Sequence, residues 1–145
     1  MSVYLDTSVL VSIYYPESIT AKVRTFLKDK KGLNTSTFSI AEFSSAIDRK
    51  VLSKELSKQN ALKIINTFED NIEEGYFKIY PFSQGDLIVA NDFIKDNLGS
   101  ISLRTVDALH IAAALRYKCE VFVTADRAQA KSSEKLGLKT KLIDL

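Results

Sequence analysis

Hydrophobic positions along the chain fall into short apolar runs separated by longer stretches with helical spacing. The first run, Val3–Leu5, is followed by polar residues and then by a short apolar helix that Pro16 would stop. Two later runs, Cys119–Thr124 and Thr140–Ile143, lie on either side of a helical segment at 127–136. Short apolar runs without strict alternation are typical of strands buried on both faces.

The rest of the chain continues this alternation of strands and helices. Gly32 is a candidate C-cap for the second helix, and Ser53 is a candidate N-cap that would separate the two halves of a helical hairpin. The pattern predicts strands at 3–5, 33–36, 76–80, 119–124 and 140–143, and helices before Pro16 and at 18–30, 39–52, 53–74, 84–98, 102–117 and 127–136.

Strands that alternate with helices predict an α/β fold in which helices cover both faces of a parallel sheet. We find no repeat, low-complexity stretch or linker, so residues 1–145 are expected to form a single domain. In such sheets ligands bind beyond the carboxyl ends of the strands. Polar residues that directly follow a strand are therefore the first candidates for a functional site.

Composition narrows the class of protein further. A chain of 145 residues with 26% charged residues excludes disordered and collagen-like classes. The early apolar run at 8–15 is too short to cross a bilayer, and no Lys or Arg precedes Lys22, so neither a membrane span nor a secretory signal is expected. The single Cys119 cannot form an internal disulfide, which favours a cytoplasmic location.

The net charge of +2 hides a distribution in blocks. Residues 22–63 hold ten Lys and Arg against four acids, whereas residues 69–96 hold two against seven. The basic residues of this block could bind an RNA backbone, and they could equally serve only to keep an exposed helical surface soluble. Net charge alone therefore neither excludes nor establishes a nucleic-acid partner.

Four acids are set apart by their positions in the predicted elements. Asp6 and Asp126 each follow a strand. Glu42 lies in the first turn of a predicted helix, and Asp107 lies near the start of another. If these positions face one edge of the sheet, four carboxylates converge and need a positive charge among them. Mg²⁺ or Mn²⁺ would supply it and would support metal-assisted hydrolysis of a phosphodiester. Taken singly, each acid is also explained by helix capping or by the helix dipole.

Each of the four acids lies within a short segment that combines apolar and small polar residues. The segments are Val3-Tyr4-Leu5-Asp6-Thr7-Ser8, Ile40-Ala41-Glu42, Val106-Asp107-Ala108-Leu109-His110-Ile111-Ala112 and Val123-Thr124-Ala125-Asp126-Arg127. In this order and spacing, the four segments resemble the signature blocks of PIN-domain ribonucleases, and most of all the VapC-type toxins of prokaryotic toxin–antitoxin pairs. The resemblance extends over essentially the whole chain, and the combination is more specific than any single block.

The resemblance implies a three-layer α/β/α sandwich with a central parallel sheet and a protruding helical hairpin. It also implies an endoribonuclease that depends on Mg²⁺ or Mn²⁺, with RNA as substrate, a cognate antitoxin as partner and a homodimeric state. By the same resemblance the metal-binding and catalytic residues are Asp6, Glu42, Asp107 and Asp126, with Thr7, Ser8 and Thr124 in supporting roles.

One position departs from the family pattern. Many relatives carry a further acid two residues after the last signature Asp, where this chain has Ala128, so the number of metal ions stays open. Arg104 is a candidate for binding substrate phosphate, and His110, in an apolar helix, is interpreted as a core residue.

Two other functions stay open as alternatives. One is a catalytically inactive PIN-fold module that binds RNA or protein, and the other is a metal-dependent phosphatase. Against the phosphatase, Asp6-Thr7-Ser8 lacks the second Asp of an aspartyl-phosphate motif, and no Gly-rich phosphate loop is present.

Overall fold

The computed structural model describes residues 1–145, which fold around one five-stranded sheet. Seven helices connect and cover the strands, in the alternating order that the apolar pattern predicts. The strands are β1 (Ser2–Leu5), β2 (Gly32–Ser36), β3 (Lys78–Tyr80), β4 (Val121–Thr124) and β5 (Thr140–Leu142), and the helices are α1 (Thr7–Tyr14), α2 (Thr20–Leu27), α3 (Phe38–Leu52), α4 (Lys58–Glu73), α5 (Gln84–Asp96), α6 (Thr105–Arg116) and α7 (Arg127–Lys135).

All neighbouring strands are parallel, in the order β3-β2-β1-β4-β5. The first strand therefore lies at the centre, where Leu5 pairs with Val123 of β4 and Tyr4 pairs with Asn34 of β2. The two strands that precede the candidate acids Asp6 and Asp126, β1 and β4, are adjacent. Their carboxyl ends meet at one edge, which confirms the predicted parallel sheet and places the candidate residues side by side.

Successive residues of the central strands point to opposite faces of the sheet and bury both. Val3 and Leu5 belong to a core that includes residues of α1, α2, α3 and α4. Tyr4 and Phe122 belong to a second core with residues of α6, and their rings are stacked 5.6 Å apart. Helices on both faces give the expected three-layer α/β/α sandwich.

The predicted helical hairpin is formed by α3 and α4. It is anchored to the rest of the domain by Phe43, Ile47 and Phe68, which are fully buried in the first core. None of the helices in the chain combines the length and apolar character that a membrane span needs.

Two predicted helix caps are wrong. Ser53 terminates α3 rather than starting the next helix, and Lys54 then adopts a positive φ of 63°. The N-cap of α4 is Ser57, whose extended backbone lets its hydroxyl accept a hydrogen bond from the amide of Asn60. Gly32 is not a C-cap, because α2 already ends at Leu27 and Gly32 starts β2.

Candidate active site

The carboxyl edge of the sheet opens into a cavity of about 850 Å³. Its lining includes all four acids proposed from the sequence, although they lie as far apart in the chain as residues 6 and 126. The other predicted site residues that line it are Thr7, Ser8 and Arg104, and His110 lines it as well. Thr124 lies directly behind the cavity as a contact of Asp6.

Asp6 is the most deeply placed of the four acids, with 5% of its surface exposed. Its backbone amide donates to the carbonyl of Val123 and extends the pairing of β1 with β4 beyond the last strand residue. Its carboxylate accepts hydrogen bonds from the hydroxyls of Ser8 and Thr124 and, at 3.3 Å, from the amide of Val9. Asp6 therefore caps α1 and also presents a fixed carboxylate at the cavity.

Burial raises the pKa of Asp6 above its ordinary value. The positive charge of His110 and the hydrogen bonds from Ser8, Thr124 and Val9 act in the opposite direction without cancelling the effect of burial. An ionised Asp6 is thus an incompletely compensated buried charge. A cation in the cavity would lower the free energy of its charged form.

Asp126 is held at the start of α7. Its Oδ1 accepts hydrogen bonds from the amides of Ala128 and Gln129 at 2.8 and 3.1 Å, so the predicted capping interpretation is correct for this residue. Its own amide donates to the hydroxyl of Thr124, which also donates to Asp6. Thr124 therefore links the two acids that follow adjacent strands.

Glu42 lies in the second turn of α3, because the helix begins at Phe38, so the prediction that it occupies the first turn is wrong. It is not a capping residue. Its Oε1 accepts a hydrogen bond of 2.6 Å from Thr7 and lies 2.5 Å from Nε2 of His110. The site thus joins the beginning of α1, the second turn of α3 and the middle of α6.

His110 is buried, as the core interpretation requires, but it also contacts the site. Its Nδ1 lies 2.8 Å from the Tyr4 hydroxyl, which donates its only proton to Ser36. Nε2 faces the Glu42 carboxylate and donates to it. His110 therefore connects the buried Tyr4 of β1 to Glu42 at the cavity.

The contacts of Glu42 determine its charge. Burial raises its pKa, but the hydrogen bond and charge of His110, together with the hydrogen bond from Thr7, outweigh burial and leave the pKa lowered. Glu42 is therefore a carboxylate at neutral pH. Its partners fix the position of one oxygen, Oε1.

Asp107 lies near the start of its helix as predicted, in the first turn of α6, and its Oδ2 accepts a hydrogen bond of 3.1 Å from Nε of Arg104. The Arg104 side chain is 81% exposed. Sequence reasoning gave no role to Gln129, which is buried and donates from its side-chain amide to the backbone carbonyl of Asp107. Because the backbone amide of Gln129 donates to the Asp126 carboxylate, this residue connects two of the four acids.

The donor set at this edge fits a hard divalent cation in its chemistry, because carboxylate and hydroxyl oxygens are the ligands that Mg²⁺ and Mn²⁺ prefer. In the side-chain positions described here, no three acidic, His or Cys side chains are grouped closely enough to hold one ion. His110 and Arg104 instead contact Glu42 and Asp107. A bound cation would compete with these two contacts.

The fold and the site define a class of protein: an α/β/α sandwich with four carboxylates at the carboxyl edge of a parallel sheet. Comparison with family models gives this class a name, because the model of the PIN domain matches residues 3–135. The chain belongs to the PIN domain family. Comparison with curated protein sequences finds no match.

Solved structures with the same fold include VapC20 of Mycobacterium tuberculosis, which is described as a toxin that cleaves the sarcin-ricin loop. The TM-score is 0.72, and the sequences are 13% identical over 94% of this chain and 96% of that chain. FitAcB of Neisseria gonorrhoeae has a TM-score of 0.66 and 16% identity over 95% of each chain. VapBC2 of Rickettsia felis, bound to a DNA fragment from its promoter, has a TM-score of 0.68 and 14% identity over 98% of each chain. These likenesses confirm the PIN-like fold, which is that of VapC toxins.

The raised pKa of Asp6 leads to a prediction about stability. The folded state favours the protonated form of Asp6, so ionisation of Asp6 costs more free energy in the folded chain than in the unfolded chain. The free energy of unfolding therefore falls as pH rises from the pKa of Asp6 in the unfolded chain through its higher pKa in the folded chain. In buffer without divalent cations at neutral pH, Asp6→Asn should therefore raise Tm by a few degrees. The gain should shrink when pH is lowered through that window. A lower Tm for Asp6→Asn at neutral pH would contradict this description of the charge.

Proposed function

We propose that this protein is a metal-dependent endoribonuclease, the toxin of a type II toxin–antitoxin pair, that acts on RNA in the cytoplasm. The convergence of Asp6, Glu42, Asp107 and Asp126 on one cavity is the observation that carries the proposal. Membership of the PIN domain family also supports it, because the four acids lie within the residues that match the family model.

The four acids are proposed as ligands of Mg²⁺, with Mn²⁺ as a substitute. Such an ion supplies Lewis acidity and a water of lowered pKa, and both serve hydrolysis of a phosphodiester. Ser8 and Thr124 hold the carboxylate of Asp6 by their hydroxyls, and Thr7 and His110 hold that of Glu42. The three hydroxyl contacts leave Asp6 and Glu42 little rotational freedom to lose when a ligand binds.

The expected reaction is in-line attack of water on a backbone phosphate, with a 5′-phosphate and a 3′-hydroxyl as products. Arg104 is the proposed contact for substrate phosphate, because its guanidinium is exposed at the cavity and can exchange Asp107 for a phosphate oxygen. RNA as the substrate class is supported by VapC20, a neighbour in fold that is described as cleaving the sarcin-ricin loop.

A cognate antitoxin is the proposed partner. Support comes from a neighbour in fold from Klebsiella pneumoniae that is described as a toxin–antitoxin complex. A homodimer is also proposed, and the α3–α4 hairpin leaves apolar surface available for it, with Leu52 73% and Leu62 50% exposed. Light scattering at several protein concentrations measures the oligomeric state directly.

Cleavage of RNA should depend on both the metal and the acids. We expect purified protein to cut single-stranded RNA in Mg²⁺ and not in EDTA, and Asp107→Asn to lower the rate by about a hundredfold or more. A catalytic metal ion supplies several kcal/mol of charge stabilisation, and roughly 1.4 kcal/mol is a factor of ten in rate. Gel analysis of a labelled RNA, with end-group mapping of the products, measures both the rate and the bond that is cut.

Asp48→Asn is the matched control for this experiment. Asp48 is an exposed acid of α3 outside the cavity lining, so its substitution should leave the rate unchanged. Full metal-dependent cleavage by Asp107→Asn would refute the assigned site. Binding of RNA without any cleavage would favour the inactive module, and hydrolysis of a chromogenic phosphomonoester without RNA cleavage would favour the phosphatase.

Toxicity is a separate expectation. Induced expression of this protein in a bacterial host should arrest growth, whereas expression of Asp107→Asn at the same level should not. Co-expression of the product of an adjoining reading frame should restore growth. Equal arrest by both forms would show that any toxicity has another cause than the acidic site.

A further inference from the structure

Helix α3 forms one wall of the cavity and carries opposite charges towards its two ends. Glu42 lies in its second turn, and Arg49 and Lys50 lie in its last turn. All three residues line the same cavity. The groove therefore runs from the carboxylates along the helix to a pair of basic side chains.

The spacing along this wall is set by the helix. Glu42 and Arg49 are separated by two turns, which places their backbones about 10 Å apart at roughly 1.5 Å per residue. Ser45 and Ala46 lie between them on the lining face and project little into the groove. A ligand that reaches both ends must be extended, and it must carry negative charge away from the reacting centre.

The basic side chains of the cavity differ in their partners. Arg104 and Arg127 each form an ion pair with an acid. Arg49 donates instead to the hydroxyl of Ser45 at 3.2 Å, and the Lys50 ammonium lies 4.0 Å from the centre of the Tyr15 ring. Neither forms an ion pair with a carboxylate, so both positive charges are available to a ligand.

Besides the four site acids and Asp144, which pairs with Arg127, two more acids line the cavity and bear on the charge available to a ligand. The Ser12 hydroxyl donates to Glu17, and the Ser53 hydroxyl donates to Glu55 at 2.6 Å. Hydroxyl donors thus satisfy these acids, and neither neutralises Arg49 or Lys50. An extended anion is attracted by the two specific cations rather than by the net charge of the wall.

We propose that Arg49 and Lys50 bind a backbone phosphate of the RNA on one side of the bond that is cut. This inference rests on the proposed function, which it extends from the reacting phosphate to a neighbouring one. A phosphodiester chain is the ligand that fits, because it is extended, carries a charge at every unit and must pass along α3 to reach the carboxylates. The contact orients the strand and carries no base specificity.

Basic residues in the last turn of a helix also stabilise it through the helix dipole. This structural role predicts a loss of thermal stability on substitution, with no effect on RNA affinity. The proposed role predicts weaker RNA binding by a protein that still folds. Affinity and its dependence on salt therefore separate the two roles.

The experiment compares three forms of the full chain, each carrying Asp6→Asn to suppress cleavage: the parent, Arg49→Gln/Lys50→Gln and Lys58→Gln/Lys63→Gln. The last form removes the same charge from exposed positions of α4 that do not line the cavity. Fluorescence anisotropy with a labelled single-stranded RNA in Mg²⁺, over about 50 to 200 mM salt, gives Kd and its salt slope. Thermal melting checks that each form is folded.

We expect Arg49→Gln/Lys50→Gln to bind more weakly than both other forms and to lose about 0.7 from the salt slope, the change for one phosphate contact on a single strand. Equal affinity and slope for this form and the α4 form would overturn the inference and leave the proposed nuclease intact. Absence of RNA binding by the parent would overturn both. In the cleavage-competent chain, Arg49→Gln/Lys50→Gln should raise KM and leave kcat nearly unchanged.

Discussion

The site depends on one interaction, the parallel pairing of β1 with β4, which buries the carboxylate of Asp6 beside Thr124. The pairing continues through the hydrogen bond from the Asp6 amide to the carbonyl of Val123, which fixes the position of the Asp6 side chain at the end of β1. Thr124 then donates to Asp6 and accepts from the amide of Asp126. A shift of this register would separate the two acids and reverse the face to which every side chain of the strand points.

The other two acids are brought to this edge by helices. Glu42 is fixed by Thr7 and His110, and Asp107 is fixed through its backbone by Gln129. The Arg104 guanidinium is thereby placed beside Asp107, and the His110 ring beside Glu42, among carboxylates that repel one another. The near-neutral total charge of the chain is compatible with this arrangement, because acids concentrated in one cavity offset basic residues elsewhere.

The fold and the four acids were predictable because their signals are local. Asp6 and Asp126 follow apolar strands, and parallel strands place such residues at one edge. The boundaries were less predictable: Ser53 and Ser57 are both acceptable caps in the sequence, and only the turn at Lys54 selects Ser57. The start of α3 was misplaced by one residue, which was enough to put Glu42 in the wrong turn.

The contacts that support the acids could not be predicted, because they join residues distant in the chain. His110 pairs with Glu42 across 68 positions and with Tyr4 across 106. A lone His in an apolar helix carries no local sign of either partner. Gln129 was equally hidden, because its role follows from the packing of α7 beside α6 rather than from any motif.

The central claim is that the carboxylates at this edge bind a divalent cation, and a crystal soaked in Mn²⁺ tests it most directly. Anomalous scattering should place the ion in the cavity with Asp6 and at least one more of the four acids as ligands. Asp107 should be released from Arg104, or Glu42 from His110. The claim is contradicted if the anomalous signal lies elsewhere, or is absent while all four carboxylates keep their present hydrogen bonds.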